Sequence, residues 1–183
     1  MPTRYATPLA CVALALGIAA CGGGGGGASA HPLGEEVVMK HTQISGTTQG
    51  PSTTLGVTVL RVRKGTQAEL KQGGLKVDAK NLGDTPYYVD MRYENKGAQA
   101  IKRSLGPSLE DQDGNLISST LIFDFGGPPF KKCPKISEGK LAPGSSYEDC
   151  TLFLVPKDRE PKKVSFLPNA PGKDTDFVYW DVA

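Results

Sequence analysis

FKKCPKISEGKLAPGSSYEDCTLFLVP, residues Phe130–Pro156, holds two cysteines, a Pro143-Gly144 turn and the alternating run Tyr147–Leu154. Alternation over Ser146–Val155 is the period of a strand with one packed and one wet face, which is how antiparallel sheets read. Ahead of it, Gly126-Gly127-Pro128-Pro129 breaks regular structure, so Phe130–Lys140 reads as a long loop carrying Cys133. A second segment repeats the pattern more cleanly. In Thr85–Asn95, Tyr87, Val89, Met91 and Tyr93 fall on one face, and Tyr88, Asp90, Arg92 and Glu94 on the other. Asn95-Lys96-Gly97 ends that strand.

Outward from these two strands the chain continues in kind. Leu55–Arg63 alternates at Leu55, Val57 and Val59, then shifts phase to Leu60 and Val62, which predicts a bulge. Thr66 with Glu69 fits a capping box opening a single helical turn, stopped by Gly73-Gly74. Leu75–Lys80 alternates as a half-buried strand. Ser108–Ser118 reads as a hairpin turning at Asp113-Gly114. Leu121–Phe125, Val164–Leu167 and Phe177–Val182 read as further strands, and Trp180, the only tryptophan, closes the core. With about seven or eight short strands and no longer helix, the expected fold is all-β, an immunoglobulin-like antiparallel β-sandwich. Cys133 and Cys150 are too close in sequence for the inter-sheet pair of antibody domains. A bridge between them would pin the Phe130–Lys140 loop to the strand holding Cys150.

The first residues are an export signal. Arg4 supplies the charge and Leu9–Ala20 the apolar run, too short for the roughly 20 residues that span a bilayer. The run ends in Ile18-Ala19-Ala20-Cys21, which resembles the bacterial lipoprotein box, with Ile18 in place of the more usual Leu. The resemblance implies cleavage before Cys21 and acylation of its thiol, an anchor in the membrane. The alternative is an ordinary cleaved signal with an incidental cysteine. Cys11 leaves with the signal, and Cys133 and Cys150 remain as an even pair in an oxidising compartment, which reads as one disulfide. Two buried free thiols are the alternative. Residues 21–54, with the glycine run Gly22–Gly27 and much Ser, Thr, Gln and Pro, read as a flexible tether in which Glu35–Lys40 could form a short strand. His31 and His41 fall in it and read as solvated. The expected division is therefore signal 1–20, lipidated tether 21–54 and sandwich 55–183.

Charge and motifs narrow the function classes. The net charge is +2, and losing residues 1–20 removes Arg4 and no acid, leaving +1; no strong electrostatic case for nucleic acid exists. Glu110, Asp111 and Asp113 with Gly114-Asn115 approach a calcium loop but lack the distal acid, and read as a solvated hairpin tip. Asp124-Phe125-Gly126 spells the kinase magnesium motif without its lid or catalytic loop. Cys133 and Cys150 lack metal-ligand spacing. A nucleophile needs a positioned base, and the only histidines sit in the tether. Acid pairs such as Glu148-Asp149 and Asp174/Asp176 leave a carboxylate hydrolase open, although no enzyme, metal or cofactor is expected. Lys131-Lys132 and Lys162-Lys163 read as solvated strand ends that would also suit an anionic envelope surface. Tyr88, beside Asp90 and Arg92 on the wet face, is the candidate interaction site, either as an interface anchor or as a cross-strand packing residue.

Several segments together carry a resemblance: Pro86-Tyr87-Tyr88-Val89, Tyr93–Gly97, Cys133-Pro134, Leu141–Gly144, Cys150, Leu154-Val155-Pro156, Val164-Ser165-Phe166 and Tyr179-Trp180. From Leu55 to Ala183 the chain is similar to the secreted and lipid-anchored actinobacterial proteins with an immunoglobulin-like domain, related in fold to a small secreted mycobacterial antigen. The resemblance implies a β-sandwich outside the membrane and no established activity or functional residues. The expectation is a non-enzymatic module, lipid-anchored on the outer face of the cell membrane or secreted, that binds an envelope or protein partner. A structural or stress-related envelope lipoprotein without a discrete ligand, and a small-molecule carrier, are the alternatives. A carrier would need a cavity in the sandwich.

Overall fold

Thr85–Asn95 forms the strand its alternation predicts, with the same bounds. In the computed structural model, residues 29–45, 48–120, 130–134, 139–168 and 177–182 are described. The expected strand Leu121–Phe125, the following glycine-proline breaker, the leader and Cys21 lie outside them. In chain order the strands are β1 (Glu36–Ser45), β2 (Thr48–Lys64), β3 (Thr85–Asn95), β4 (Ile101–Lys102) and β5 (Ser108–Asp111). They continue as β6 (Leu116–Ile117), β7 (Lys140–Leu141), β8 (Ser146–Val155), β9 (Pro161–Phe166) and β10 (Val178–Asp181). One helix, α1 (Gln67–Gln72), and a 3₁₀ turn at Ala79–Asn81 join β2 to β3.

The strands make two four-stranded antiparallel sheets, ordered β1-β2-β3-β8 and β10-β9-β5-β6, with a small β4-β7 ladder at one end. Their inner faces form one core: Val57, Val59, Met91, Tyr93 and Phe153 meet Leu109, Val164, Phe166 and Trp180. Each such side chain contributes roughly 1.5–3 kcal/mol by leaving water. The protein is thus an all-β sandwich. Among the described residues there are ten strands against the expected seven or eight, because β1 lies in the supposed tether and β4 and β7 are too short to show as alternation.

The predicted bulge is present: the β2–β3 register shifts between Val59 and Arg61. Its effect is specific. Before it, Val57 and Val59 face the core; after it, Val62 does, opposite Val89, while Arg61 and Arg63 stand opposite Asp90 and Tyr88 on the outer face. Without the extra residue the two arginines would be aimed at the core and Val62 at solvent. The capping box also forms as read, with Thr66 Oγ1 accepting from Glu69 N–H and Glu69 Oε2 accepting from Thr66 N–H.

Three expectations fail. The sandwich does not begin at residue 55. His31 lies along the edge of β10, its N–H donating to Tyr179 O and its O accepting from Asp181 N–H, and the chain then crosses to the other sheet as β1. Polar residues in 42–54 look like linker but pair across the hairpin, as in Thr42 Oγ1 with Ser52 Oγ at 2.8 Å. A register shift between Thr42 and Ile44 lets the hairpin pass Gly50-Pro51. Second, the histidines are not free in solvent. His31 Nδ1 meets Glu35 Oε1, and His41 is buried against Phe166 with Nδ1 bonded to Pro168 O at 2.8 Å. Third, Leu75–Lys80 is no strand. Its alternation turns Leu75 and Val77 onto the outer face of the first sheet, and no ladder partner exists for it among the described residues.

The end of β3 is more than a turn. Asn95 is fully buried; its Nδ2 donates to Gln99 O and Leu141 O, and its Oδ1 accepts from Thr53 Oγ1 and Gly97 N–H. One amide therefore ties β2, β3 and the β4–β7 ladder. Asn95→Ala should orphan these partners and cost about 2–4 kcal/mol. Chemical denaturation followed by Trp180 emission measures it, and a loss below about 0.5 kcal/mol would refute the role.

Candidate functional site

The outer face of β2-β3-β8 carries the polar residues that the sequence singles out. Tyr88, Asp90 and Arg92 come from β3, Arg61 and Arg63 from β2, and Cys150, Leu152 and Leu154 from β8. A wet face was expected there. Instead Tyr88 is only 1% exposed, in a second apolar cluster with Leu70 of α1, Phe130, Cys133, Leu152 and Leu154. The Phe130 ring lies 5.9 Å from the Tyr88 ring, and the Arg63 guanidinium 5.0 Å from its centre. Two glycines permit this closeness. A Cβ on Gly65 would fall 2.5 Å from Tyr88 Cε2, and one on Gly73 would fall 2.2 Å from Phe130 Cδ2.

The loop over this face is held by four kinds of contact. Cys133 and Cys150 form the expected disulfide, Cα–Cα 5.1 Å. By the chain-entropy estimate, closing a loop of this size adds roughly 3 kcal/mol. Arg63 Nη2 donates to Lys132 O at 2.9 Å, Lys132 Nζ pairs with Glu69 Oε1 at 3.2 Å, and Phe130 packs on Tyr88. Asp90 anchors the arginine from below. Its carboxylate takes a bidentate pair from Arg63, Nε to Oδ2 and Nη2 to Oδ1, both 2.9 Å, and a further bond from Arg61 Nε. Burial alone would raise the Asp90 pKa, but the bonds from Arg63 and Arg61 outweigh it and hold the carboxyl below its ordinary range.

Of the three predicted interaction residues, Tyr88 and Asp90 thus meet through Arg63, and both are consumed internally. Only Arg92 remains exposed, opposite Thr58 and Glu148. On this face and its loop the accessible cations include Arg61, 67% exposed at its side chain, Arg92, Lys131 and Lys132. Arg61 and Arg63 were missed as site residues, although the phase shift at Leu60 was enough to place them on the Tyr88 face. No three metal-ligating side chains cluster among the described residues. At the hairpin tip, Asp111 is not solvated. It is buried, accepts from the Asp113 and Asn115 N–H groups and meets Arg159, which makes it the organiser of the turn.

Of the acid pair Glu148-Asp149, the second member turns inward. Asp149 shares the inward row of β8 with Tyr147 and Phe153, opposite Met91. Burial raises its pKa to about 6, against the bond it accepts from Cys150 N–H. An aspartate whose folded pKa lies above its unfolded value, about 3.9, adds stability that is complete below that value and lost as pH rises through 6. Buried His41, whose pKa burial lowers, opposes this trend in the same window, so the variant difference is the clean readout. Asp149→Asn should be near neutral at pH 4 and more stable than wild type by about 1–2 kcal/mol at pH 7.5, a figure discounted for partial exposure. Asp90 has the opposite sign: the penalty of Asp90→Asn should hold at neutral pH and shrink only below about pH 4. Parallel difference curves for the two variants would refute both assignments.

The chain matches no protein-family profile and no curated protein. Among solved structures it is similar to MPT63, a secreted protein from Mycobacterium tuberculosis, with TM-score 0.52 and 15% identity over 84% of this chain and 96% of that one. It is also similar to the yjhA protein from Bacillus subtilis, with TM-score 0.51 and 14% identity over 84% of this chain and 99% of that one. At such identities the likeness is one of fold. The matched share exceeds what residues 55–183 could supply, in keeping with a sandwich that starts before residue 55.

Proposed function

We propose that this chain is a non-catalytic binding module of the cell envelope, anchored by an acyl group on Cys21 on the outer face of the membrane. The observation that carries the reading is the disulfide-pinned loop over the outer face of β2-β3-β8. A covalent bridge, an ion pair and an arginine bond hold the Lys131-Lys132 segment at Arg63 and Glu69, on the face that also carries Arg61 and Arg92. A surface ordered before contact avoids part of the entropic cost of binding. The bridge itself suits an oxidising compartment. Residues 22–30, rich in glycine, would set the body about 15–20 Å from its anchor.

A protein or envelope partner would meet the cationic rim of the loop, since Tyr88 and Asp90 are occupied inside it. A structural lipoprotein without a discrete ligand is the second reading, favoured by that same internal saturation. Crosslinked pull-down from intact envelopes separates them. Wild type should recover a partner that an Arg92→Ala/Lys131→Ala variant loses, while both keep the same denaturation midpoint. Equal recovery by both, or by neither, sinks the binding surface. Cys21→Ser should move the protein from the membrane fraction to the soluble fraction and abolish incorporation of labelled fatty acid; retained label would refute the anchor.

A further inference from the structure

Strand β1 forms an edge of its sheet and pairs with β2 alone among the described residues. Two of the three other sandwich edges are partly occupied, and the third, β6, is only two residues long. His31 covers β10, and Thr120 N–H donates to Leu152 O on β8 at 2.7 Å. Among the described residues nothing comparable covers Glu36–Lys40. That stretch reads Glu-Val-Val-Met-Lys and leaves its central valine in solvent. Val38 is 53% exposed on the outer face, and Val37 and Met39 on the inner face are only half buried. Proteins protect such edges with central charges, prolines or covering segments. Here the centre is valine and the charges stand at the two ends.

The order of those residues is self-complementary. Laid antiparallel against itself about Val38, the stretch sets Glu36 opposite Lys40, Val37 opposite Met39 and Val38 opposite Val38. We propose that two copies of this chain join through β1 in that register, giving one continuous eight-stranded sheet. The two-fold axis passes through the Val38 pair, so the contact is isologous and closes on itself. Outer-face neighbours are then two Glu36–Lys40 pairs flanking a valine pair, and the inner row extends the hydrophobic core across the joint. Glu36 leans across Gly56 to Lys96, Oε2 to Nζ at 3.1 Å, and turns toward the joint when the incoming ammonium arrives, and Lys40 has no ion-pair partner among the described residues. The ladder ends beyond Glu36, where the Glu35 carbonyl is taken by Trp180 Nε1 at 3.0 Å. A ladder of this length is a small interface, so the association is expected to be weak in dilute solution.

Sedimentation of the full chain carrying Cys21→Ser, which removes any acyl-driven association, tests this over a wide concentration range. Wild-type β1 should show a monomer–dimer equilibrium. Val38→Asp should abolish the dimer, and Lys40→Glu should weaken it by about tenfold, since two attractive cross-strand pairs become repulsive. Glu36→Lys should weaken its own homodimer too. Mixing the Lys40→Glu and Glu36→Lys chains should restore association, because each then meets opposite charge at both positions. Thermal melts confirm that each variant is folded. A strictly monomeric wild type, a dimer indifferent to Val38→Asp, or no gain on mixing would overturn the proposal.

Discussion

Arg63 is the residue through which the outer face holds together. Its guanidinium is bound on one side by the Asp90 carboxylate, on another by the Lys132 carbonyl, and it lies over the ring of Tyr88. A lone arginine or aspartate half out of water is costly, and each is tolerable here because the other saturates it. The same side chain reaches the loop that the disulfide pins, so covalent and electrostatic restraints converge on one segment. Beneath them the outer face of an antiparallel sheet, ordinarily left to solvent, acquires an apolar cluster of its own. The fold therefore has a main core between the sheets and a smaller one under the latched loop.

That second core changes where a partner could bind. Groups that looked available from their alternation are spent on holding the loop, and the accessible chemistry moves outward to the cations at its rim. The proposed binding module would present a rigid, charged margin around a sealed centre. At the opposite edge of the same sheet, the N-terminal segment joins both sheets in turn, His31 on β10 and then β1 on β2. A pull from any membrane anchor would reach the body through that segment, where backbone bonds to both sheets share the load.

The main strands were legible because each has one packed and one polar face, and period-2 alternation reports that directly. β3 and β8 have the bounds that the sequence implies, and the bulge at Leu60 and the cap at Thr66 were readable from local chemistry alone. What alternation cannot report is a second layer. Tyr88 faces away from the main core, as its position implies, but burial there depends on Phe130, forty-two residues later, and on glycines at 65 and 73 that let the rings approach. The strand character of residues 42–54 was hidden for the opposite reason. Thr42 and Ser52 satisfy each other across a hairpin, so a polar composition coexists with regular pairing. His41 followed from the same error, since a histidine assigned to a tether is never considered for the interior.

The most direct measurement on the latched face is nitration of the native protein by tetranitromethane, with each tyrosine quantified by mass spectrometry before and after reduction of Cys133–Cys150. With the bridge closed, Tyr88 should resist modification as Tyr93 does, while the more exposed Tyr179 reacts. After reduction Tyr88 should become reactive, with Tyr93 still protected by the main core. A Tyr88 that reacts as readily as Tyr179 while the disulfide is intact would show that the loop does not seal this face.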